Sequence, residues 1–188
     1  MLSVVLDACI LFPMYLRDTL LSVAEAGLYK PYWSQNILDE AIRNLVARKI
    51  SAKKAKNLEQ VMKAAFPEAM VEVPVELEEV MRNHPKDRHV LAAAVVANAQ
   101  VIVTHNLADF QANALAPWNI KAQSPDNFLC ELFDAYPDYP AKMVQILQQQ
   151  SQKYKKRPLS VADLLKLLSQ QSGANLPNFV NKIHGYTA

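Results

Sequence analysis

The chain has 188 residues, 51% of them hydrophobic and 20% charged, which suits one globular domain, with at most a small appendage, around a core of useful size. A formal net charge of +2 excludes a chain that holds nucleic acid by bulk charge alone. Cys9 and Cys130 lie far apart without disulfide or metal spacing, which fits a reducing compartment such as the cytoplasm, and Asp7 interrupts the first apolar run, so we expect no signal peptide.

Ser3-Val4-Val5-Leu6 is apolar on both faces, the pattern of a strand inside a parallel sheet, and it ends in Asp7. A buried acid there needs a partner, a proton or a metal. After a turn over Cys9 to Pro13, Leu16, Leu20 and Val23 keep helical spacing within Met14 to Ala26, and Gly27 stops that helix. Tyr29 to Trp33 reads as a short strand. Ser34 then caps a helix over Gln35 to Lys49, with Ile37, Leu38, Ala41, Leu45 and Val46 on its apolar side and Glu40 beside that stripe. Ser51 caps the next helix, which runs to about Phe66 and carries Lys53, Lys54 and Lys56 on its first turns. Cations at that end oppose the helix dipole, which suggests a solvated or ligand-facing end. A strand over Met70 to Val73 and a helix over Val75 to Met81 follow.

Between Arg88 and Asp109 there is no acid, Lys or Arg, but Asn98, Gln100, Thr104, His105 and Asn106 interrupt the stretch, so a membrane span is excluded. We read a helix opened by Asp87, a β-branched strand at Val101 to Val103, and a polar loop from Thr104 to Asp109. Trp118 to Ala122 is the last strand, at an edge. From Ser124 onward only helices are expected: Pro125 to Ala135, Pro140 to Lys156, Ser160 to Gln171 with a Ser160–Asp163 capping box, and a short one after Pro177. The alternation predicts an α/β sandwich around a parallel sheet over residues 1–123 and a small all-helical region over 124–188. Right-handed crossovers would bring Asp7 to the Thr104–Asp109 loop.

Asp7, Glu40, Asp87, Asp109 and Asn106 would then converge. Crowded carboxylates need a proton or a cation, and hard oxygen donors suit Mg2+ or Mn2+. Each member has a plainer reading. Asp7, Asp87 or Asp109 can cap the helix that follows it, Glu40 can be a solvated helix residue, and Thr104 and Asn106 can be ordinary loop residues. His84, His89, His105 and His184 lack zinc-like spacing and read as structural or RNA-contacting. Lys86, Arg88, Lys53, Lys54, Lys56 and the run from Lys153 to Arg157 are candidate phosphate contacts. A phosphatase with Asp7 as nucleophile would want another Asp two residues on, where Cys9 stands. An RNA- or protein-binding module without catalysis is favoured by Asn106, which brings an oxygen but no charge.

The segments VVLDACIL around Asp7, ILDEAIRNL around Glu40, KDRHVLAAAV around Asp87 and VIVTHNLADF from Thr104 to Asp109, in this order, resemble the PIN-domain nucleases, in the broad group of VapC-type toxins. The resemblance covers about residues 1–122. It implies a three-layer α/β/α sandwich and a metal-dependent endoribonuclease acting on single-stranded RNA. Asp7, Glu40 and Asp87 match the family's first three acids. The fourth position is shared between Asn106 and Asp109, with Thr104 fixing the loop by hydrogen bonding. The resemblance also implies a homodimer and an antitoxin protein that covers the acidic groove, and the helical tail is similar to an extension found in one subgroup.

Overall fold

The computed structural model describes residues 1–155, 158–170 and 174–188. In chain order these form β1 (Ser3–Leu6), α1 (Ala8–Leu11), α2 (Met14–Glu25), β2 (Lys30–Ser34), α3 (Gln35–Ala47), α4 (Ala52–Ala65), β3 (Met70–Val71) and α5 (Val75–Val80). There follow α6 (Arg88–Val96), β4 (Val101–Val103), α7 (Ala112–Leu115), β5 (Lys121–Gln123), α8 (Pro125–Ala135), α9 (Tyr139–Lys153), α10 (Val161–Ser169) and α11 (Pro177–Thr187). Lys156, Arg157 and Gln171, expected in a basic run or at helix ends, lie outside the described residues.

The five strands found among the described residues form one sheet in the order β3-β2-β1-β4-β5, and every pairing is parallel. Val4, Val5 and Leu6 of β1 and Val101, Ile102 and Val103 of β4 are fully buried. Strands apolar on both faces need helices on both sides, and this central sheet with flanking helices is the α/β/α arrangement expected. Helix α6 packs on β1, β2 and β4 with Val90, Leu91, Ala92, Ala93 and Ala94 buried. Small Ala side chains let it lie close to the strands. Val5 pairs with Ile102 and Leu6 with Val103, so β1 and β4 end side by side.

The chain forms two compact units: Met1–Phe12 with Tyr29–Gln123, and Pro13–Leu28 with Ser124–Ala188. The first contains the sheet. The second is helical, and it includes α2, which was read from sequence as part of 1–123. Within it α2 packs on α9 and α10, and α8 on α9 and α11. Its core contains Leu16, Leu20, Phe128, Leu129, Met143, Leu147, Leu164 and Phe179. A buried polar lock joins α2 to α9: Thr19 Oγ1 donates to Gln150 Oε1 at 2.9 Å, and Gln150 Nε2 donates to the Tyr15 carbonyl at 3.2 Å and to Tyr154 OH at 2.9 Å. Tyr154 OH in turn donates to Asp18 Oδ2 at 3.0 Å. Gly27, at φ +78°, ends α2 in the left-handed conformation that glycine adopts without strain.

The last strand departs from expectation. Ala116–Trp118 make a 3-10 turn and Asn119 takes a left-handed φ of 54°, so β5 starts only at Lys121. Asn tolerates that conformation through its short polar side chain, and Trp118 therefore lies outside the strand expected to begin with it.

Candidate active site

Asp7 sits where β1 ends. Its N–H donates to the Val103 carbonyl at 3.1 Å, which joins it to the end of β4. The residue is 2% exposed, and its carboxylate is held by three donors. Ala8 N–H reaches Oδ1 at 2.6 Å, while Thr104 Oγ1 at 2.7 Å and Cys9 Sγ at 3.2 Å reach Oδ2. Asp7 thus caps α1, its plainer reading, and also faces the loop after β4. Thr104, fully buried, accepts the Asn106 N–H at 2.9 Å and so shapes that loop as expected. Cys9 was not singled out for this site from sequence. Its sulfur also accepts the His105 N–H at 3.3 Å. Burial, and then the neighbouring Asp7 carboxylate, push the Cys9 thiol up to about 12. It stays a neutral S–H that can donate to Asp7.

Glu40 projects from α3 beside the stripe in which Ile37, Leu38, Ala41 and Leu45 are buried. Together with Asn36, Asp39, Arg43 and Asn44 of the same helix it lines a groove of ≈ 740 Å³. The other walls are Lys86, Asp87, His89, Asn106 and Asp109. His89 Nε2 lies 3.6 Å from Glu40 Oε2, too far for a hydrogen bond, and that nitrogen is buried without another hydrogen-bond partner.

Asp87 ends a 3-10 turn over Pro85–Asp87 and is 7% exposed. Its N–H donates to the His84 carbonyl at 2.9 Å, and its own carbonyl accepts from Asn83 Nδ2 at 2.9 Å. The carboxylate makes no capping bond to α6, so the capping role expected of Asp87 is not taken by its side chain. Burial first, then the charges of Asp7, Asp109 and Glu40, push its carboxyl up to about 6, with His89 acting the other way. Asp109 closes a second 3-10 turn, Leu107–Asp109, and its carbonyl accepts the His84 N–H at 3.1 Å. It does not cap the next helix, which opens after Gln111. His84, Asp87 and Asp109 offer ligand atoms that all lie within 4.8 Å of one another.

The structure therefore brings Glu40, Asp87, Asn106 and Asp109 to one groove. Asp7 is not among the lining residues, but its charge acts on Asp87. Among the described residues, Lys86 is the one expected phosphate contact that lines the groove. Lys53 and Lys54 are exposed on α4, Lys56 Nζ is held by the buried Glu59 at 2.6 Å, and the Arg88 Nε is buried without a hydrogen-bond partner. Sequence reading passed over Asn36, Arg43 and Asn44, although their spacing of four, three and four residues from Glu40 places them on its helix face. His84, three residues before Asp87 and expected to be structural or RNA-contacting, instead lies beside Asp87 and Asp109.

These observations define an α/β/α protein with an acidic centre beyond the carboxyl ends of its two central strands, the edge where open parallel sheets carry their sites. The chain belongs to the PIN-domain family, whose profile, described as "PIN domain", matches residues 3–108. A second profile, "VapC50 C-terminal domain", matches residues 125–185. Over 58 residues the chain is 57% identical to a protein of Mycobacterium tuberculosis (strain ATCC 25618 / H37Rv) named "Putative ribonuclease VapC50", a stretch covering 31% of this chain and 34% of that protein. The match thus spans about a third of the curated relative's length. No solved structure matches the chain.

Proposed function

We propose that the protein is a metal-dependent endoribonuclease that cleaves single-stranded regions of RNA. The observation that carries the reading is the acidic groove, in which Glu40 and Asp109, together with the charge of Asp7 outside its lining, act on the Asp87 carboxyl. Oxygen donors crowded to the point of repulsion fit a divalent cation, Mg2+ or Mn2+. Asp7, Glu40, Asp87 and Asp109 would hold it, with Asn106 adding an amide oxygen. When bound, such an ion supplies an acidified water and positive charge for the leaving oxygen of a phosphodiester.

The chain's own residues set the stage for that chemistry. Ala8, Thr104 and Cys9 hold the Asp7 carboxylate in one orientation through three hydrogen bonds. Arg43 and Lys86 in the groove can draw in the phosphate backbone, which acids alone would repel. The relative's name, a ribonuclease, supports the same substrate class. The phosphatase reading loses its second carboxylate, because Cys9 holds that place and donates to Asp7.

The resemblance to VapC-type toxins extends the proposal to a cytoplasmic toxin that forms a homodimer and pairs with an antitoxin protein, with residues 1–123 as the nuclease domain and 124–188 as its helical extension. Among the described residues no helix is long and apolar enough to cross a membrane. The test is cleavage of a single-stranded RNA with Mg2+ or Mn2+, with EDTA, and by Asp7→Asn. Activity is expected only in the first case. Undiminished cleavage in EDTA and by the variant overturns the mechanism, and metal-independent RNA binding without cleavage favours the binding-module reading.

A further inference from the structure

We propose that His84 supplies an imidazole nitrogen to the metal held by Asp87 and Asp109, and that this nitrogen makes the centre select Mn2+ over Mg2+. The proposal rests on the metal-dependent reading above and adds to it a ligand and an ion.

Geometry places the ring. His84 Nδ1 lies 3.6 Å from Asp87 Oδ2 across the 3-10 turn. The three residues can direct one donor atom each to a common point, since those atoms lie within 4.8 Å of one another. Their backbones are tied together as well. His84 N–H donates to the Asp109 carbonyl at 3.1 Å, and the Asp87 N–H to the His84 carbonyl at 2.9 Å. Pro85, first in the turn, fixes the chain direction just after His84. Among the described residues the one hydrogen bond to the ring is weak: Lys86 N–H approaches Nδ1 at 3.4 Å, so a cation displaces little.

The chemistry follows from the donor set. Asp7, Glu40, Asp87 and Asp109 already repel one another, and a further carboxylate would add to the repulsion. A neutral imidazole adds a strong donor without charge. Mg2+ binds oxygen donors in a rigid octahedron and keeps its waters. Mn2+ also favours oxygen, but as a first-row transition ion it accepts a nitrogen donor more readily than Mg2+ does. One nitrogen at the site therefore favours Mn2+. His84 is also half-exposed, with its side chain at 46%, so replacing it leaves the core unchanged.

The experiment is calorimetric titration of the full chain with Mn2+ and with Mg2+, for the unaltered protein, His84→Gln, His89→Gln and Asp87→Asn. Pulsed electron paramagnetic resonance of bound Mn2+ reads nitrogen coupling directly. The unaltered protein is expected to bind Mn2+ more tightly than Mg2+ and to show that coupling. His84→Gln should lose about tenfold in Mn2+ affinity, keep Mg2+ affinity within about twofold, and lose the coupling. His89→Gln should keep it, and Asp87→Asn should bind neither ion well. Equal Mn2+ binding by His84→Gln, or coupling that disappears with His89 instead, overturns the His84 assignment and leaves the acidic site standing. An unaltered protein that binds neither ion overturns both.

Discussion

Asp87 is the residue at which the proposed function and stability oppose each other. Its carboxyl, raised from the ordinary 3.8 to about 6, is more easily protonated in the folded chain than in the unfolded one. The folded chain therefore holds the extra proton between those two values. Stability from this group is complete below about pH 4 and is lost as pH rises through about 6. Above that, the fold carries the repulsion of neighbouring acids. With EDTA present, Asp87→Asn should raise the melting temperature above pH 6 by an amount corresponding to about 1–2 kcal/mol, after discounting the shift for solvent screening, and the gain should vanish near pH 4. Melting curves across that range decide it. A variant less stable than the parent at every pH would show that the Asp87 carboxylate is held favourably, not against its neighbours.

At the next scale, caps decide where elements begin. Ser34, Ser51, Ser124 and Ser160 each accept a backbone N–H in the first turn of the following helix, and Ser160 with Asp163 completes the capping box read from sequence. One cap comes from far away along the chain. Asp126, buried in the first turn of α8, accepts the N–H groups of Asn178 at 3.2 Å and Phe179 at 2.8 Å, and Asn178 Nδ2 at 2.8 Å. It satisfies the open end of α11, and its negative charge complements that helix's dipole. Asp126→Ala should cost about 1–3 kcal/mol in denaturant unfolding and speed amide exchange in α11 ahead of α8. Unchanged exchange in α11 would mean that burial of Phe179, Val180 and Ile183 holds it without the cap.

Over the whole molecule, the chain does not divide into units in simple sequence order. Helix α2 lies early in the chain yet buries Leu16, Leu20 and Val23 in the unit that Ser124–Ala188 completes. A chain cut after Gln123 would keep α2 without α9 and α10, exposing those side chains and leaving Thr19 without Gln150. Losing three such burials is worth about 5–8 kcal/mol of apolar transfer for that segment. We expect the 1–123 fragment to bind a hydrophobic dye and to show rapid exchange over residues 13–28, while the full chain protects them. A fragment with α2 as protected as in the full chain would contradict this partition. The RNA-cleavage assay belongs to the same scale, since the groove exists only when three separate segments, around Glu40, Asp87 and Asp109, are folded together.

Amino-acid order alone carried most of the fold. β-branched runs with no polar alternation suit inner strands, and helix caps are local chemistry, so β1, β4, α8 and the order of the longer elements were legible without coordinates; the short helices α1 and α7 were not. β5 was not, because three residues with one apolar side chain carry no periodicity and a left-handed Asn119 delayed the strand. The acids were legible as types in order, and so was Thr104 as the residue that fixes its loop by hydrogen bonding. Their distances were not. That Asp87 takes the burden of repulsion, that Cys9 steadies Asp7, that His84 comes within reach of two carboxylates and that α2 belongs with the last helices depend on contacts between distant parts of the chain. Such contacts are set by how side chains pack in three dimensions, and no spacing along the backbone records them.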